Sequence, residues 1–328
     1  MNEVILDELY KNLGKYVTSE RMCKKLGISR IAVWNRIKNL QKLGYKIEGK
    51  RSVGYMLKEE AKDILIPYEI KRRLNTKIFG SRIEYFRLTS STMDEAEYLL
   101  EKEDDLNGAL IIAEEQTSGR GRQKRKWLSP QGMNIYASLI FAPEKWDTSM
   151  AIPFMFALSI AVREAIVDFG IDEAKIKWPN DVMVGNKKIA GVLVEAKSES
   201  GILRYLIGGF GINVNMEKIP DEIKDTATSM FIETSHKIDR ATLLANILFY
   251  LENLLDIMEK KGKDEIFRLW KSMNNTIGKT VEIISGADRI RGIAKDIDRD
   301  GFLVVETESG PKKVITAESV RFVDEHEE

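Results

Sequence analysis

The sequence predicts an α+β protein of several domains: a winged helix-turn-helix, a central mixed α/β body and a small β-barrel. Three observations point there. Lys15 to Lys58 holds twelve lysines and arginines against two acids, although the 328-residue chain as a whole is neutral. From about residue 68 to 270, strand-like and helix-like runs alternate. From Thr276 onward, apolar residues recur with period two between turn residues. The length suits two or three domains, with expected bounds of 1–65, 66–274 and 275–328.

Composition narrows the chemistry. Apolar residues make up 43% and charged residues 31%, as in ordinary globular chains. No run of 18 consecutive apolar residues occurs, so no membrane span is expected. Met1-Asn2-Glu3-Val4 lacks the basic region and apolar core of a secretory leader. The single cysteine, Cys23, forms no internal disulfide and fits a reducing cytoplasm. One cysteine and two distant histidines, His236 and His326, exclude a zinc finger. Both histidines fall in polar segments and read as surface residues, so any catalysis rests on positioning and electrostatics.

In the N-terminal module, Val4, Ile5, Leu9 and Leu13 have helical spacing. Thr18 or Ser19 caps a second helix ending near Leu26-Gly27, and Ser29 caps a third from Arg30 to Leu43. Val33, Ile37 and Leu40 form the apolar stripe of that third helix, and Trp34 reads as core. Tyr45 to Glu48 and Val53 to Leu57 read as a hairpin with Gly49-Lys50-Arg51-Ser52 at its tip. Two helices and a basic wing suggest DNA as partner, with Arg30, Asn35 and Arg36 at base edges and Lys50 and Arg51 at phosphates. Residues 58–66 read as a linker.

The central body begins with a short helix, Tyr68 to Leu74, and a strand, Arg82 to Leu88. Thr89-Ser90-Ser91-Thr92 caps a helix from Met93 to Lys102. A strand, Ala109 to Glu114, runs into Glu115 to Trp127, where Gly119 to Trp127 contains two glycines and five cations. Arginine's planar fork matches phosphate or carboxylate, so this loop reads as an anion clamp. A solvated basic loop or a nucleic-acid tether is the alternative. It is not a P-loop, since no G-x-x-x-x-G-K-[ST] occurs.

Met133 to Phe141 is a strand and Ala151 to Phe169 a buried helix. Pro179 breaks the next strand-like run and turns Asn180 and Asp181 out of the sheet pattern. Asp181 is a candidate for Mg²⁺ or for orienting a cation, against the alternative of an Asn-Asp turn. Gly185-Asn186 suits a hairpin turn before the strand Lys187 to Val194. Period two puts Lys188 on one face with Ala190 and Val192, and Lys187 on the other with Ile189 and Gly191. It does not choose which lysine meets an anion. Leu203 to Val214 carries Gly208, Gly209 and Gly211, which implies close approach by something. Two helices follow, Asp239 to Lys261 and Lys263 to Met273. The C-terminal strands Lys279–Ser285, Arg289–Ile297, Phe302–Thr307 and Lys312–Val323 suggest a small SH3-like barrel, a cap or docking surface without chemistry of its own.

Gly119-Arg120-Gly121-Arg122 with Trp127, then Lys177-Trp178-Pro179-Asn180-Asp181, Lys188-Ile189-Ala190-Gly191 and Gly211-Ile212-Asn213-Val214 resemble the biotin protein ligases. The resemblance covers nearly the whole chain. It implies a biotin/lipoate-ligase-like catalytic centre and, with the winged helix-turn-helix and the C-terminal barrel, the bifunctional form that is also the biotin operon repressor. The implied reaction uses ATP and Mg²⁺ to make biotinyl-5′-AMP, then biotinylates a lysine of the biotin carboxyl carrier protein of acetyl-CoA carboxylase. The nucleophiles come from the substrates, which agrees with the absence of an enzyme nucleophile.

By motif, the resemblance assigns Arg120, Gly121 and Arg122 to biotin and the adenylate phosphate. It picks Lys188 over Lys187 for the charge shared by carboxylate and phosphate. Ser91, Thr92 and Gln116 would meet the ureido ring. Asn180, Asp181 and Asn213 would lie near nucleotide and Mg²⁺, and Trp127 beside the ligand. The glycines of 208–211 would leave room for it. Met93 departs from the family's usual Asn, leaving its backbone to serve, and Lys124 departs from the usual glycine. The adenylate would promote a homodimer through an exposed sheet edge, and the dimer would bind a two-fold operator. The rivals are a lipoate ligase and a sensor-repressor without ligase activity.

Overall fold

The computed structural model describes residues 2–143, 146–199, 202–286 and 288–323. His326 and its acidic tail lie outside the described residues, as does Ala287 in an expected turn. The chain divides into two compact units after Arg72.

The N-terminal unit opens with α1 (Asn2–Lys11), α2 (Ser19–Leu26) and α3 (Arg30–Lys42). Thr18, rather than Ser19, caps α2 by accepting from the Arg21 N–H at 3.3 Å. Ser29 caps α3 through the Ala32 N–H at 3.2 Å, satisfying a donor left free by helix geometry. Ile5, Leu9, Met22, Val33, Ile37 and Leu40 are all essentially inaccessible and form one core. The wing is β1 (Ile47–Lys50) paired antiparallel with β2 (Gly54–Leu57). Lys50 pairs with Gly54, so the tip is shorter than expected. Gly54 has φ +134°, and a Cβ there would lie 2.0 Å from the Val17 carbonyl oxygen, so only glycine fits.

Two expectations fail in this unit. Residues 58–66 are not a free linker, because Ala61 and Ile64 pack into the same core. The next helix, α4 (Pro67–Lys71), also belongs here, with Tyr68 in that core. Its Glu69 is fully buried and accepts from Tyr10 at 2.8 Å and Tyr45 at 2.6 Å, with Arg72 paired at 3.0 Å. Burial, then the neighbouring carboxylate, pushes the Tyr10 hydroxyl up to about 12.

The second unit contains β3 (Ile83–Phe86), α5 (Thr92–Leu100), β4 (Leu110–Ala113), β5 (Ile135–Phe141), α6 (Ala151–Val167), β6 (Lys175–Lys177), β7 (Asp181–Val184), β8 (Lys187–Glu199) and β9 (Ile202–Ile212). These strands form one sheet in the order β3-β4-β5-β9-β8-β7-β6. Only β3–β4 is parallel among these pairings. Three helices follow: α7 (Met230–Thr234), α8 (Arg240–Lys261) and α9 (Lys263–Met273). Successive residues of a strand face opposite ways, and β9 shows it. A Cβ on Gly208 would meet Phe154 and Leu158 of α6, while one on Gly209 would meet Met93 of α5. Thus α6 covers one face and α5 the other. The segment Thr148–Val167 and the helix Arg240–Lys261 are long and apolar enough by composition to cross a bilayer, although neither is an unbroken apolar run. Here most of their residues are buried.

The period-two region forms a five-stranded antiparallel sheet: β10 (Thr280–Ser285), β11 (Asp288–Ile297), β12 (Leu303–Thr307), β13 (Gly310–Val314) and β14 (Ser319–Phe322), in the order β13-β12-β11-β10-β14. Val281, Ile283, Ala294, Ile297, Leu303, Val305 and Val314 are its buried apolar positions. The single expected strand Lys312–Val323 is broken in two by residues 315–318.

Candidate active site and nucleic-acid interface

A cavity of about 610 Å³ opens on the α5 face of the large sheet. Every ligand and catalytic residue named from the sequence lines it: Ser91, Thr92, Met93, Gln116, Arg120, Gly121, Arg122, Trp127, Asn180, Asp181, Lys188 and Asn213.

At one end a polar chain crosses three elements. Gln116 Oε1 accepts from the Thr92 N–H at 2.8 Å, and Gln116 Nε2 donates to Ser129 Oγ at 3.0 Å. Ser138 Oγ, from the middle of β5, donates to Thr92 Oγ1 at 2.8 Å. Ser91 caps α5 by accepting from the Met93 N–H at 3.3 Å. That backbone donor is therefore already engaged, and the Met93 side chain packs in the core beside Gly209. Sequence reading missed Ser129 and Ser138. A lone serine inside the otherwise apolar run 135–141 was the available signal.

A β-bulge decides which of Lys187 and Lys188 faces the cavity. The β7–β8 register shifts between Val182, opposite Ala190, and Met183, opposite Lys188, leaving Ile189 extra. An extra residue inverts the alternation beyond it, so Lys188 joins Gly191 instead of Ala190. A Cβ on Gly191 would lie 2.8 Å from Lys188 Nζ. Lys187 is exposed. Lys188 Nζ sits 2.6 Å from Asp181 Oδ1 and 5.1 Å from the Trp127 ring centroid.

Trp127 rests where Gly211 and Gly191 leave no side chain; a Gly211 Cβ would meet the indole at 2.4 Å. Of the glycines expected to face a ligand, Gly209 and Gly211 face the cleft, whereas Gly208 makes room for α6. The Trp127 Nε1 is buried without a hydrogen-bond partner among the described residues.

The clamp loop folds as a minute hairpin: Trp127 N–H donates to the Gly119 carbonyl at 2.8 Å and Gly121 N–H to the Arg125 carbonyl at 2.7 Å. Gly119 is needed for this closure, since a Cβ would lie 2.7 Å from the Trp127 carbonyl. The left-handed residue is Gln123 (φ +53°), not a glycine. The Lys124 side chain lies outside those described.

The two clamp arginines point apart. Arg120 Nη2 lies 2.9 Å from Asp94 Oδ1 and 3.9 Å from Glu97 and Glu195. Burial raises the Glu195 pKa, while a hydrogen bond from Lys197 lowers that of Glu97. Arg122 reaches the other way, 3.5 Å from Asn180 Oδ1 and 3.5 Å from Thr316 Oγ1. Burial pulls its pKa down, and Asp181 partly offsets this. Asn180 donates to the Val192 carbonyl and Asn213 to the Thr228 carbonyl at 2.9 Å, so both also brace the site.

The C-terminal sheet is not remote from this chemistry. Ala317, Glu318, Ser319 and Arg321 line the same cavity. Lys177 lies 4.7 Å from the Phe322 ring centroid, and burial lowers its pKa. The placement agrees with a cap, and the approach to the cavity exists only in three dimensions.

In the N-terminal unit, Arg30, Asn35, Lys50 and Arg51 are exposed. Arg36 is half-buried and donates to Asn2 Oδ1 at 3.2 Å, which ties α3 to α1. Trp34 is not core: it is 50% exposed. His236 is exposed, as expected.

Cations and glycines around a cavity on this sheet, in a chain that begins with a winged helix-turn-helix, define a protein ligase of the biotin/lipoate class. Residues 85–213 match the Biotin/lipoate A/B protein ligase family, 2–56 an HTH domain and 276–320 the Biotin protein ligase C terminal domain. The chain is 35% identical over 323 residues to the bifunctional ligase/repressor BirA of Bacillus subtilis, covering 95% of this chain and 96% of that one. It is 31% identical to the Escherichia coli protein of the same name, covering 89% of each. The biotin protein ligase of Aquifex aeolicus, solved with biotin and ATP, superposes with a TM-score of 0.65 at 30% identity, covering 74% of this chain and all of that one. The chain belongs to the biotin protein ligase family, in its bifunctional ligase/repressor form.

Proposed function

We propose that the cleft joins biotin to AMP and delivers it to a carrier lysine. A biotin carboxylate oxygen attacks the α-phosphorus of ATP, the bond to the β-phosphate oxygen breaks, and pyrophosphate leaves. The lysine amine of the biotin carboxyl carrier protein then attacks the acyl carbon of biotinyl-5′-AMP. AMP departs and the amine loses its proton. The observation that carries this reading is the convergence of Lys188, Arg120 and Arg122 with the polar chain of Thr92 and Gln116 around one cavity.

Ser91, Thr92 and Gln116 supply donors and acceptors for the ureido ring. Lys188 lies on a rigid strand, where it stabilises the charge developing between carboxylate and phosphate. Arg120, Gly121 and Arg122 close on the adenylate, Trp127 covers it, and Asn180 and Asn213 hold the nucleotide side. Asp181 would hold Mg²⁺. No group of three or more His, Cys, Asp or Glu side chains suited to a metal occurs among the described residues. Mg²⁺ binds through one or two carboxylates plus substrate phosphates, so one carboxylate beside a phosphate clamp fits. The ion would neutralise charge on the leaving pyrophosphate.

The N-terminal unit serves as an operator-binding repressor with biotinyl-5′-AMP as corepressor. The adenylate favours a homodimer, and linkage makes the dimer favour the adenylate equally. The protein works in the cytoplasm, and the division of labour expected at 1–65, 66–274 and 275–328 moves at its first bound to the break after Arg72. Pyrophosphate release from Mg-ATP tests the ligase reading: biotin should support it and lipoate should not. Release with lipoate alone would assign a different acyl substrate. A monomer in sedimentation at micromolar concentration with biotin and Mg-ATP would remove the dimer.

A further inference from the structure

Helix α3 has an apolar face that the fold does not use. Val33, Ile37 and Leu40 are at most 1% exposed and complete the core of the unit. On the opposite side stand Ile31, Trp34, Asn35 and Lys38, at the i, i+3, i+4 and i+7 spacing of one helical face. Ile31 is 73% exposed and Trp34 50%. Neither belongs to the core cluster of the unit or to the residues packed against it. Single exposed apolar residues are ordinary, but these two sit side by side in the first turns of the helix after the turn.

Their surroundings select the occupant. Arg30, Lys38 and Lys42 flank them on the same helix, and Lys50 and Arg51 stand on the wing. A cationic rim suits a polyanion, and the recognition helix of this motif places its N-terminal residues at base edges in the major groove. One apolar feature is offered there, the thymine C5-methyl. An asparagine pairs in bidentate fashion with adenine N6 and N7.

We propose that Ile31 and Asn35 read A·T base pairs in the operator half-site: Ile31 packs on a thymine methyl and Asn35 bonds an adenine. This rests on the DNA-binding reading above. The two residues are four positions apart, about 6 Å along the helix axis, against a step of about 3.4 Å per base, so they address pairs one or two steps apart. Trp34 covers the adjoining edge, its indole held near the Lys38 ammonium at 5.9 Å. Arg36 donates to Asn2 Oδ1 on α1, and the two readers do not depend on it.

The test uses the full-length protein with biotin and Mg-ATP present. A duplex is selected from a random pool by the wild type, and each thymine of the selected site is replaced in turn by uracil, which removes only the methyl. Fluorescence anisotropy should show that uracil at one position per half-site weakens binding roughly fourfold, the worth of one buried methyl-sized group. Ile31→Ala should bind thymine and uracil duplexes alike at that position, and Asn35→Ala should lose its preference for adenine at a pair one or two steps away. Lys50→Ala should weaken binding to every duplex while keeping the thymine-to-uracil ratio. The proposal is overturned by tolerance of uracil at every position, or by an unchanged ratio in Ile31→Ala. It falls together with the DNA-binding reading if the wild type selects no duplex and Lys50→Ala changes nothing.

Discussion

The β7–β8 hairpin and the clamp loop both bring cations to the same cavity, by opposite means. Lys188 is fixed: two paired strands, a bulge and Asp181 hold its ammonium in place. Arg120 and Arg122 ride on a small hairpin whose roots are fixed but whose charges are engaged elsewhere, with surface acids and with Thr316. Groups that stabilise charge as it develops gain most from being ordered in advance. Groups that close over a ligand must first be able to let go. Under the proposed function this division would give the adenylation step to the hairpin and retention of the adenylate to the loop.

The largest expected effect concerns the loop's roots. Arg240 Nη1 bonds Glu114 at 2.9 Å and the Asn134 carbonyl at 3.2 Å, one on each side of the loop. The pair is almost fully buried. Breaking a buried pair by removing one member costs about 3–5 kcal/mol, so Glu114→Ala should lower unfolding stability by that amount in urea. An unchanged midpoint would show that the roots are not what fixes the loop. Gly211→Ala comes next. Its new methyl meets the Trp127 ring at 2.4 Å, and overpacking of this kind costs about 1–3 kcal/mol. Biotin affinity, measured by calorimetry, should fall along with the melting temperature. If only the melting temperature moved, Trp127 would be a packing residue and not a ligand cover. The smallest effect tests release. Asp94 is a half-exposed partner of Arg120, and such pairs are worth about 0.2–1 kcal/mol. Asp94→Asn should therefore tighten adenylate binding by up to about fivefold. Weaker binding would mean that Asp94 orients Arg120 for its ligand.

Local chemistry was legible in the sequence, and long-range register was not. Thr18, Ser29 and Ser91 act as helix caps because a cap needs only its own neighbours. The turn at Gly185 and the break at Pro179 follow from the same short-range rules. The bulge at Ile189 depends on the pairing strand, so strict alternation put Lys188 on the wrong face. Trp34 read as core from hydrophobicity alone, whereas its helix already had a complete stripe. Residues 58–66 looked like a linker because a charged stretch, Lys58 to Asp63, precedes the short apolar run Ile64-Leu65-Ile66, and no local rule says that such a run joins a core. The approach of Thr316 and Arg321 to the cleft joins segments more than a hundred residues apart, and no periodicity encodes that.

The most direct measurement compares Lys188→Ala with Lys187→Ala in biotin-dependent pyrophosphate release from Mg-ATP. The bulge places one ammonium in the cleft and leaves the other in solvent. Lys188→Ala should lose about 10²–10³ in rate, the scale of one preorganised charge-stabilising group, while Lys187→Ala stays within a factor of about two of wild type, the usual reach of a surface substitution. Equal losses in both variants, or a larger loss at Lys187, would contradict the account of the hairpin as the seat of adenylation.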